Sequence, residues 1–123
     1  MWIDYFKGAI TPQTDTLDSL LGSEPLAIGD LILAEVLQGF VDEGEFERAR
    51  TLLTSLTVVN LGGKEIAIQA ARYFRVLRRL GVTVRKTIDS IIATRCIVSD
   101  YDLLHSDRDF DPFVKHLGLR SVV

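Results

Sequence analysis

The fold and the chemistry of this chain both depend on one stretch of sequence, Lys86-Thr87-Ile88-Asp89-Ser90-Ile91-Ile92-Ala93-Thr94-Arg95. It places a single carboxylate, that of Asp89, at the head of an otherwise apolar helical run. Because an ionised carboxylate is costly to remove from water, an acid at such a site needs a cation, a hydrogen-bond donor or a metal beside it. Asp89 is therefore a helix N-cap, an ion-pair partner of Arg85 or Lys86, or a functional acid.

The composition is that of an ordinary globular protein, with 47% apolar and 25% charged residues in a chain of 123. We expect residues 1–123 to form a single domain with one core. No apolar run approaches the roughly 18 residues that a membrane-spanning helix needs, so we expect no membrane segment. The N-terminus lacks the order of a secretory signal, and the single cysteine, Cys96, allows no intrachain disulfide. A cytoplasmic location is the expectation from these features.

Periodic apolar positions and glycine stops predict the helices of the chain. The region around 42–56 is amphipathic and has the pattern of a surface helix, whereas the helix from Asp30 to Gly39 is apolar almost all round. Thr11-Pro12 is expected to break the chain before the second helix, and Gly29-Asp30 is expected to form a turn and an N-cap. The predicted helices cover residues 1–7, 14–21, 30–39, 42–56, 64–80, the Asp89 stretch to about residue 99, and 113–117.

Four short apolar or β-branched runs, at residues 25–28, 57–61, 101–105 and 119–123, are strand candidates separated by helices. This order predicts an α/β sandwich, in which helices flank a central, mostly parallel sheet. Ligands of such folds bind at the carboxyl ends of the strands. Asp107 follows directly after the third candidate strand and is expected at that edge.

Three acids form the candidate site: Glu35 on an apolar helix, Asp89 on another, and Asp107 at a strand end. Converging carboxylates repel one another unless a divalent cation neutralises them, and hard oxygen ligands suit Mg²⁺ or Mn²⁺. A metal-bound water beside a phosphate would give metal-assisted phosphodiester hydrolysis. Structural alternatives remain: Glu35 could pair with an arginine of the 64–80 helix, and Asp109 and Asp111 are better explained as a solvated turn and helix start.

Other polar residues offer weaker signals. Arg72, Arg75 and Arg79 share one face of the 64–80 helix and would either track an RNA backbone, receive an acidic partner, or simply face solvent. The net charge of −3 argues against a broadly basic nucleic-acid binder but not against a local basic patch. His105 lacks a partner at metal-ligand spacing and is expected to be structural, and Cys96 is expected in the core.

Four blocks of sequence, in order along the chain, resemble one known family. The chain is similar to the PIN-domain ribonucleases, and among them to the VapC-type toxins of bacterial toxin–antitoxin pairs. The blocks are Trp2-Ile3-Asp4-Tyr5-Phe6-Lys7-Gly8, Leu33-Ala34-Glu35-Val36-Leu37-Gln38-Gly39, Thr87-Ile88-Asp89-Ser90-Ile91-Ile92-Ala93, and Leu104-His105-Ser106-Asp107-Arg108-Asp109-Phe110-Asp111.

The resemblance implies a PIN-like three-layer sandwich and a Mg²⁺- or Mn²⁺-dependent endoribonuclease toxin that cleaves RNA. By position, Glu35, Asp89 and Asp107 match the second, third and fourth acids of the family site, with Asp109 a possible accessory. It also implies a VapB-like antitoxin as a partner, laid into an apolar groove near the N-terminal helices, and a homodimer.

The first acid of the family ends a central strand directly before the Trp2 block, and this sequence begins at Met1. Asp4 does not replace that acid, because it corresponds to a later helix position. We therefore expect the first strand and its aspartate to be missing from the sequence, through a start annotated too late or a true truncation. The second case would favour a non-catalytic module that binds an antitoxin or dimerises. Translating the DNA upstream of Met1 in frame distinguishes the two.

Overall fold

The structure, a computed structural model, describes residues 1–122, and it contains short parallel strands between helices. The strands are β1 (Ala27–Gly29), β2 (Thr57–Val59), β3 (Asp102–Leu103) and β4 (Arg120–Ser121). The helices are α1 (Trp2–Phe6), α2 (Pro12–Leu20), α3 (Asp30–Leu37), α4 (Glu43–Thr54), α5 (Lys64–Arg79), α6 (Thr87–Ser99) and α7 (Asp111–Leu117), with a 3₁₀ turn at Arg108–Phe110. The predicted mixed α/β class is confirmed.

Two compact units divide the chain, Met1–Asn60 and Leu61–Val123, of which the second is described up to residue 122. Each contains one parallel strand pair: β1 with β2 in the first unit and β3 with β4 in the second. That all of residues 1–123 form one domain stays a prediction. No helix in the described range has the length and apolar content required to cross a bilayer.

In the first unit, α1 carries a cluster of aromatic rings. The ring centres of Trp2 and Phe6 are 6.1 Å apart, and that of Phe6 is 5.5 Å from that of Phe40. The core beneath contains Leu17, Ile28, Val36, Ala49 and Leu53, all buried. Apolar positions three or four residues apart on α2, α3 and α4 therefore face a common interior, as their spacing predicts.

The start of α2 differs from the prediction. The helix begins at Pro12 and not at Thr14, because Thr11 caps it: the Thr11 hydroxyl accepts a hydrogen bond from the Thr14 N–H, and the Thr14 hydroxyl accepts one from the Thr11 N–H. Proline at the first helical position loses no hydrogen bond, since that N–H is unpaired in any helix. Similarly, the N-cap of α3 is Gly29, which also ends β1, and Asp30 is already helical.

In the second unit, α5 packs on α6, and α7 packs on α5. The interior contains Leu77 from α5, Ala93 and Cys96 from α6, Phe113 from α7 and Leu119, all buried. Arg95 of α6 donates hydrogen bonds to the carbonyl oxygens of Leu61 and Gly62, at 3.3 and 3.2 Å, which ties α6 to the segment before α5.

The strand pair of the second unit is short and bordered by charge. Arg120 on β4 contacts Asp102 on β3 and lies 2.7 Å from the Asp100 carboxylate. All four predicted strands are present but shorter than their apolar runs, since Leu119, for example, is buried outside β4 and makes its backbone hydrogen bond to Phe113 instead. The last residue of the predicted 119–123 strand, Val123, lies outside the described residues.

Truncation of the central aromatic residue of the second unit should destabilise it strongly. Phe113 is 0% exposed, whereas its neighbour Val114 is 39% exposed. We expect Phe113→Ala to lower the free energy of unfolding by about 3–5 kcal/mol, the usual cost of deleting a buried ring. Val114→Ala is the matched control and should cost well under half as much in the same denaturant titration. Equal losses would show that Phe113 is not in the core.

The thiol of Cys96 should be unreactive in the native protein. Burial raises the pKa of this thiol to about 11, from its ordinary value of 9.0. At pH 8 the folded chain then holds about a hundredfold less thiolate than the unfolded chain, and the thiolate is the nucleophile. Iodoacetamide labelling at pH 8 should therefore be at least about a hundredfold slower in buffer than in guanidinium chloride. Similar rates in both would contradict the core position.

Candidate metal centre

Asp89 lies in the first turn of α6 and is 6% exposed. Lys86 is the N-cap, so Asp89 is the third helical residue, which rules out the N-cap interpretation of this acid. The positive end of the helix dipole favours a carboxylate in this turn. The apolar run that follows, with Ile92, Ala93 and Cys96 buried, anchors the helix and fixes where the carboxylate lies.

Asp107 occupies the loop after β3, as its position in the sequence predicts. It caps the 3₁₀ turn: its Oδ1 accepts a hydrogen bond from the Asp109 N–H at 2.9 Å. The other oxygen, Oδ2, lies 3.9 Å from the Lys86 Nζ, and the side chain is 42% exposed. One oxygen therefore orders the loop, while the other lies near the Lys86 ammonium.

Asp109 belongs to the same loop, and here the expectation of a solvated turn is wrong. Its side chain is only 17% exposed, and its Oδ1 accepts a hydrogen bond from Arg85 Nη2 at 2.7 Å. That hydrogen bond and the negative charge of Asp109 raise the pKa of the Arg85 guanidinium. Asp111, by contrast, is exposed at the start of α7, where a helix-start acid was expected.

Three carboxylates converge at this point of the second unit. One oxygen from each of Asp89, Asp107 and Asp109 lies within 4.8 Å of the others, and Asp89 is the buried member. Arg85 and Lys86 contact the two outer acids, so the cluster has two cations at its edge for three acids. A set of hard oxygen ligands of this kind fits Mg²⁺ or Mn²⁺.

His105 contacts the loop that carries Asp107. Its Nδ1 accepts a hydrogen bond from the Asp107 N–H at 3.2 Å, its Nε2 lies 3.1 Å from the Ser121 Oγ, and its ring centre is 4.8 Å from that of Phe110. Burial lowers the pKa of His105 below its usual value. These are the contacts of the structural histidine that the sequence predicted.

Glu35, the remaining predicted acid, lies on α3 in the first unit, with an exposed side chain. The acids that the structure brings together are therefore Asp89, Asp107 and Asp109. In the sequence, the signal for Asp109 is its spacing of two from Asp107, just after a predicted strand. The role of Glu35 stays a prediction from the resemblance.

Comparison with known proteins identifies the family of this chain. The PIN domain family model matches residues 1–114, a range that contains all three clustered acids. The chain belongs to the PIN-domain family.

Curated relatives of this PIN domain are ribonucleases by name. VapC ribonuclease Mb1587 of Mycobacterium bovis is 28% identical over 122 residues, which cover 98% of this chain and 91% of the relative. Ribonuclease VapC11 of Mycobacterium tuberculosis matches with the same identity and coverage. The chain is thus a PIN domain that is similar to VapC ribonucleases over nearly its whole length, and the resemblance drawn from its four sequence blocks is confirmed.

Proposed function

We propose that this chain is a divalent-metal-dependent endoribonuclease toxin whose metal is held by the carboxylates of Asp89 and Asp107, with Asp109 beside them. The observation that carries the proposal is the convergence of these three acids within 4.8 Å in a PIN domain. Arg85 and Lys86 contact two of the three carboxylates and leave the cluster with a net negative charge, so its packing around a buried acid supports a metal site.

The residues fit Mg²⁺ or Mn²⁺, because both prefer carboxylate and water oxygens. When bound, such a cation supplies an acidified water and stabilises negative charge on an attacked phosphate. Asp89, held by the apolar run of α6, fixes one ligand position, and the loop-anchored Asp107 fixes a second. In the reaction, the water oxygen forms a bond to phosphorus, one phosphorus–oxygen ester bond breaks, and the proton of the water ends on the departing oxygen.

The cations at the cluster have a separate role in this proposal. Arg85 and Lys86 are exposed and lie at 2.7 Å from Asp109 and 3.9 Å from Asp107. Exposed ion pairs contribute little stability, so their value is electrostatic attraction of an anionic strand toward the acids. The proposed activity is tested by incubating the purified chain with end-labelled RNA and Mg²⁺. New internal cleavage products support it, and intact RNA in both Mg²⁺ and Mn²⁺ would refute it.

Glu35 is retained as a catalytic and metal-binding residue on the strength of the sequence resemblance. If it acts, we expect Glu35→Gln to lower the cleavage rate at least about tenfold, since a neutral amide is a weaker ligand and no base. The matched control is Glu47→Gln, which removes an exposed helical glutamate of the same unit and should leave the rate unchanged. A Glu35→Gln rate equal to that of the control would remove Glu35 from the site.

The first unit offers a place for the proposed VapB-like antitoxin. A cavity of about 1240 Å³ is lined by apolar and charged residues of α1, α3 and α4 and of the connection between the last two. An amphipathic helix would place its apolar face against the apolar residues and pair its charges with the charged ones. The apolar lining residues include Ile3, Phe6, Val36, Phe40, Ala49 and Leu52, and the charged lining residues are Lys7, Asp42, Glu43, Glu45 and Arg48.

This cavity also supports the alternative function, a non-catalytic module that binds an antitoxin or dimerises. Co-expression with the product of the adjacent gene separates the two. Capture of that product together with suppression of RNA cleavage supports the toxin, whereas capture by a chain that cleaves no RNA supports the module. Light scattering on the purified chain tests the proposed homodimer, and fractionation of cells tests the proposed cytoplasmic location.

A further inference from the structure

A second cavity lies in the second unit, in the groove between α5 and α6, and its volume is about 420 Å³. One wall is α5, including Phe74 and Arg75, and the other is the start of α6 with Val84 before it. We call this cavity the α5–α6 groove. Its lining residues are Ala67, Ala70, Ala71, Phe74, Arg75, Val84, Thr87, Ser90 and Ile91.

The groove has an apolar lining that contains one unusual polar group. Thr87, Ser90 and Ile91 are spaced by three and four residues, so they share the face of α6 that lines the cavity. Ser90 is 4% exposed, and among the described residues its hydroxyl has no hydrogen-bond partner. A helical serine can donate a hydrogen bond to a carbonyl of the preceding turn, and a buried polar group without a partner is destabilising. A ligand with both an apolar face and a hydrogen-bonding edge would satisfy this site.

The outer side of the α5 wall is strongly cationic. Arg72, Arg75, Arg78 and Arg79 are exposed, and none of them forms an ion pair with a described residue. The Arg78 guanidinium lies 5.6 Å from the centre of the Phe74 ring, which lines the groove. In a chain of net charge −3, this concentration of positive charge beside an apolar cavity is complementary to a polyanion with apolar groups.

The groove also adjoins the acid cluster. Ser90 directly follows Asp89 on α6, and Arg85 and Lys86, whose side chains contact Asp109 and Asp107, lie between the groove residues Val84 and Thr87. A strand whose phosphates follow the cations would therefore pass from α5 to the acids, with one of its bases beside the groove.

We propose that the α5–α6 groove binds a nucleobase of single-stranded RNA, next to the phosphate presented to the acids, while the α5 arginines bind the adjoining phosphates. This inference rests on the proposed ribonuclease function and adds to it a subsite for the substrate. An acidic peptide would satisfy the arginines but would leave the apolar cavity and the Ser90 hydroxyl unused. A nucleotide uses all three features: its base stacks on an aromatic or apolar wall, the polar edge of the base faces the Ser90 hydroxyl, and its phosphate binds the arginines.

The test compares binding of two fluorescein-labelled probes in EDTA, where no cleavage occurs: a twelve-nucleotide oligouridylate and a twelve-unit abasic ribose-phosphate chain. The wild type should bind the oligouridylate on the order of tenfold more tightly, because only that probe offers bases. Ala71→Leu fills the groove from an exposed position and should bring this ratio close to one, and Ala67→Leu is a second filling variant. Thr51→Leu, which adds bulk at an exposed position of α4, should leave the ratio unchanged.

A charge variant separates the base contact from the phosphate contact. Arg79→Gln, at an exposed arginine of α5 outside the groove lining, should weaken both probes by a similar factor, whereas Arg50→Gln, the same change on α4, should weaken neither. A wild-type ratio near one, or a ratio that survives both filling variants, would overturn the proposal. Because binding is measured without metal, a chain that cleaves RNA but fails this test loses only the subsite, whereas base-dependent binding without any cleavage would overturn the nuclease and not the subsite.

Discussion

Asp89→Asn should reduce RNA cleavage by about 10²- to 10³-fold. Asp89 is the buried member of the acid cluster, so its carboxylate is the ligand least able to be replaced by water. An amide of the same shape keeps the packing of α6 but removes the negative charge, and metal-derived charge stabilisation amounts to several kcal/mol of the barrier, with about 1.4 kcal/mol for each factor of ten.

The control for this variant is Asp111→Asn, an exposed acid in the same segment as Asp107 and Asp109. It changes the net charge by the same amount and should cleave at close to the wild-type rate. Circular dichroism of both variants checks that the fold is retained. If Asp89→Asn and Asp111→Asn cleave equally well, the cluster is not the catalytic site.

Removal of divalent cations should abolish cleavage and lower thermal stability, and Mn²⁺ or Mg²⁺ should restore both. A cation that binds only the folded chain stabilises it by about 2.7 kcal/mol at a hundred times its dissociation constant. For a chain of 123 residues, this corresponds to a rise in Tm of roughly 10 °C. The measurement is a pair of melting curves and a pair of cleavage assays, in EDTA and in excess Mn²⁺.

Melting curves of the wild type in Ca²⁺, and of Asp89→Asn in Mn²⁺, show whether the rise in Tm is specific to the metal and to the acid cluster. A rise that persists in Asp89→Asn would indicate binding elsewhere on this acidic chain. Cleavage that continues unchanged in EDTA would contradict the metal-dependent mechanism, whatever the stability shows.

The α6 helix and the place of Asp89 in its first turn could be predicted from the sequence because the information is local. One acid heads an apolar run with helical spacing, and both its burial and its place in the helix depend on neighbours within four residues. The position of Asp107 could be predicted in a similar way, since it follows a strand candidate and ligands of such folds bind at the ends of strands.

The burial of Asp109 could not be predicted from its neighbours in the sequence. It depends on Arg85, which is 24 residues earlier in the chain, and on the approach of the loop after β3 to the start of α6. Contacts between residues so far apart depend on packing and leave no periodic signal. The predicted start of α2 was wrong for a different reason. Pro12 was expected to break the chain, but the Thr11 side chain caps the helix, so that Pro12 is its first residue.

The central claim, that Asp89, Asp107 and Asp109 bind a divalent cation, is tested most directly by titrating Mn²⁺ into the chain and recording its electron paramagnetic resonance signal. Free Mn²⁺ gives a sharp spectrum that weakens on binding. We expect the wild type and Asp111→Asn to bind Mn²⁺ with similar affinity and Asp89→Asn to bind it at least tenfold more weakly. Equal Mn²⁺ binding by Asp89→Asn and the wild type would contradict a metal site at these acids.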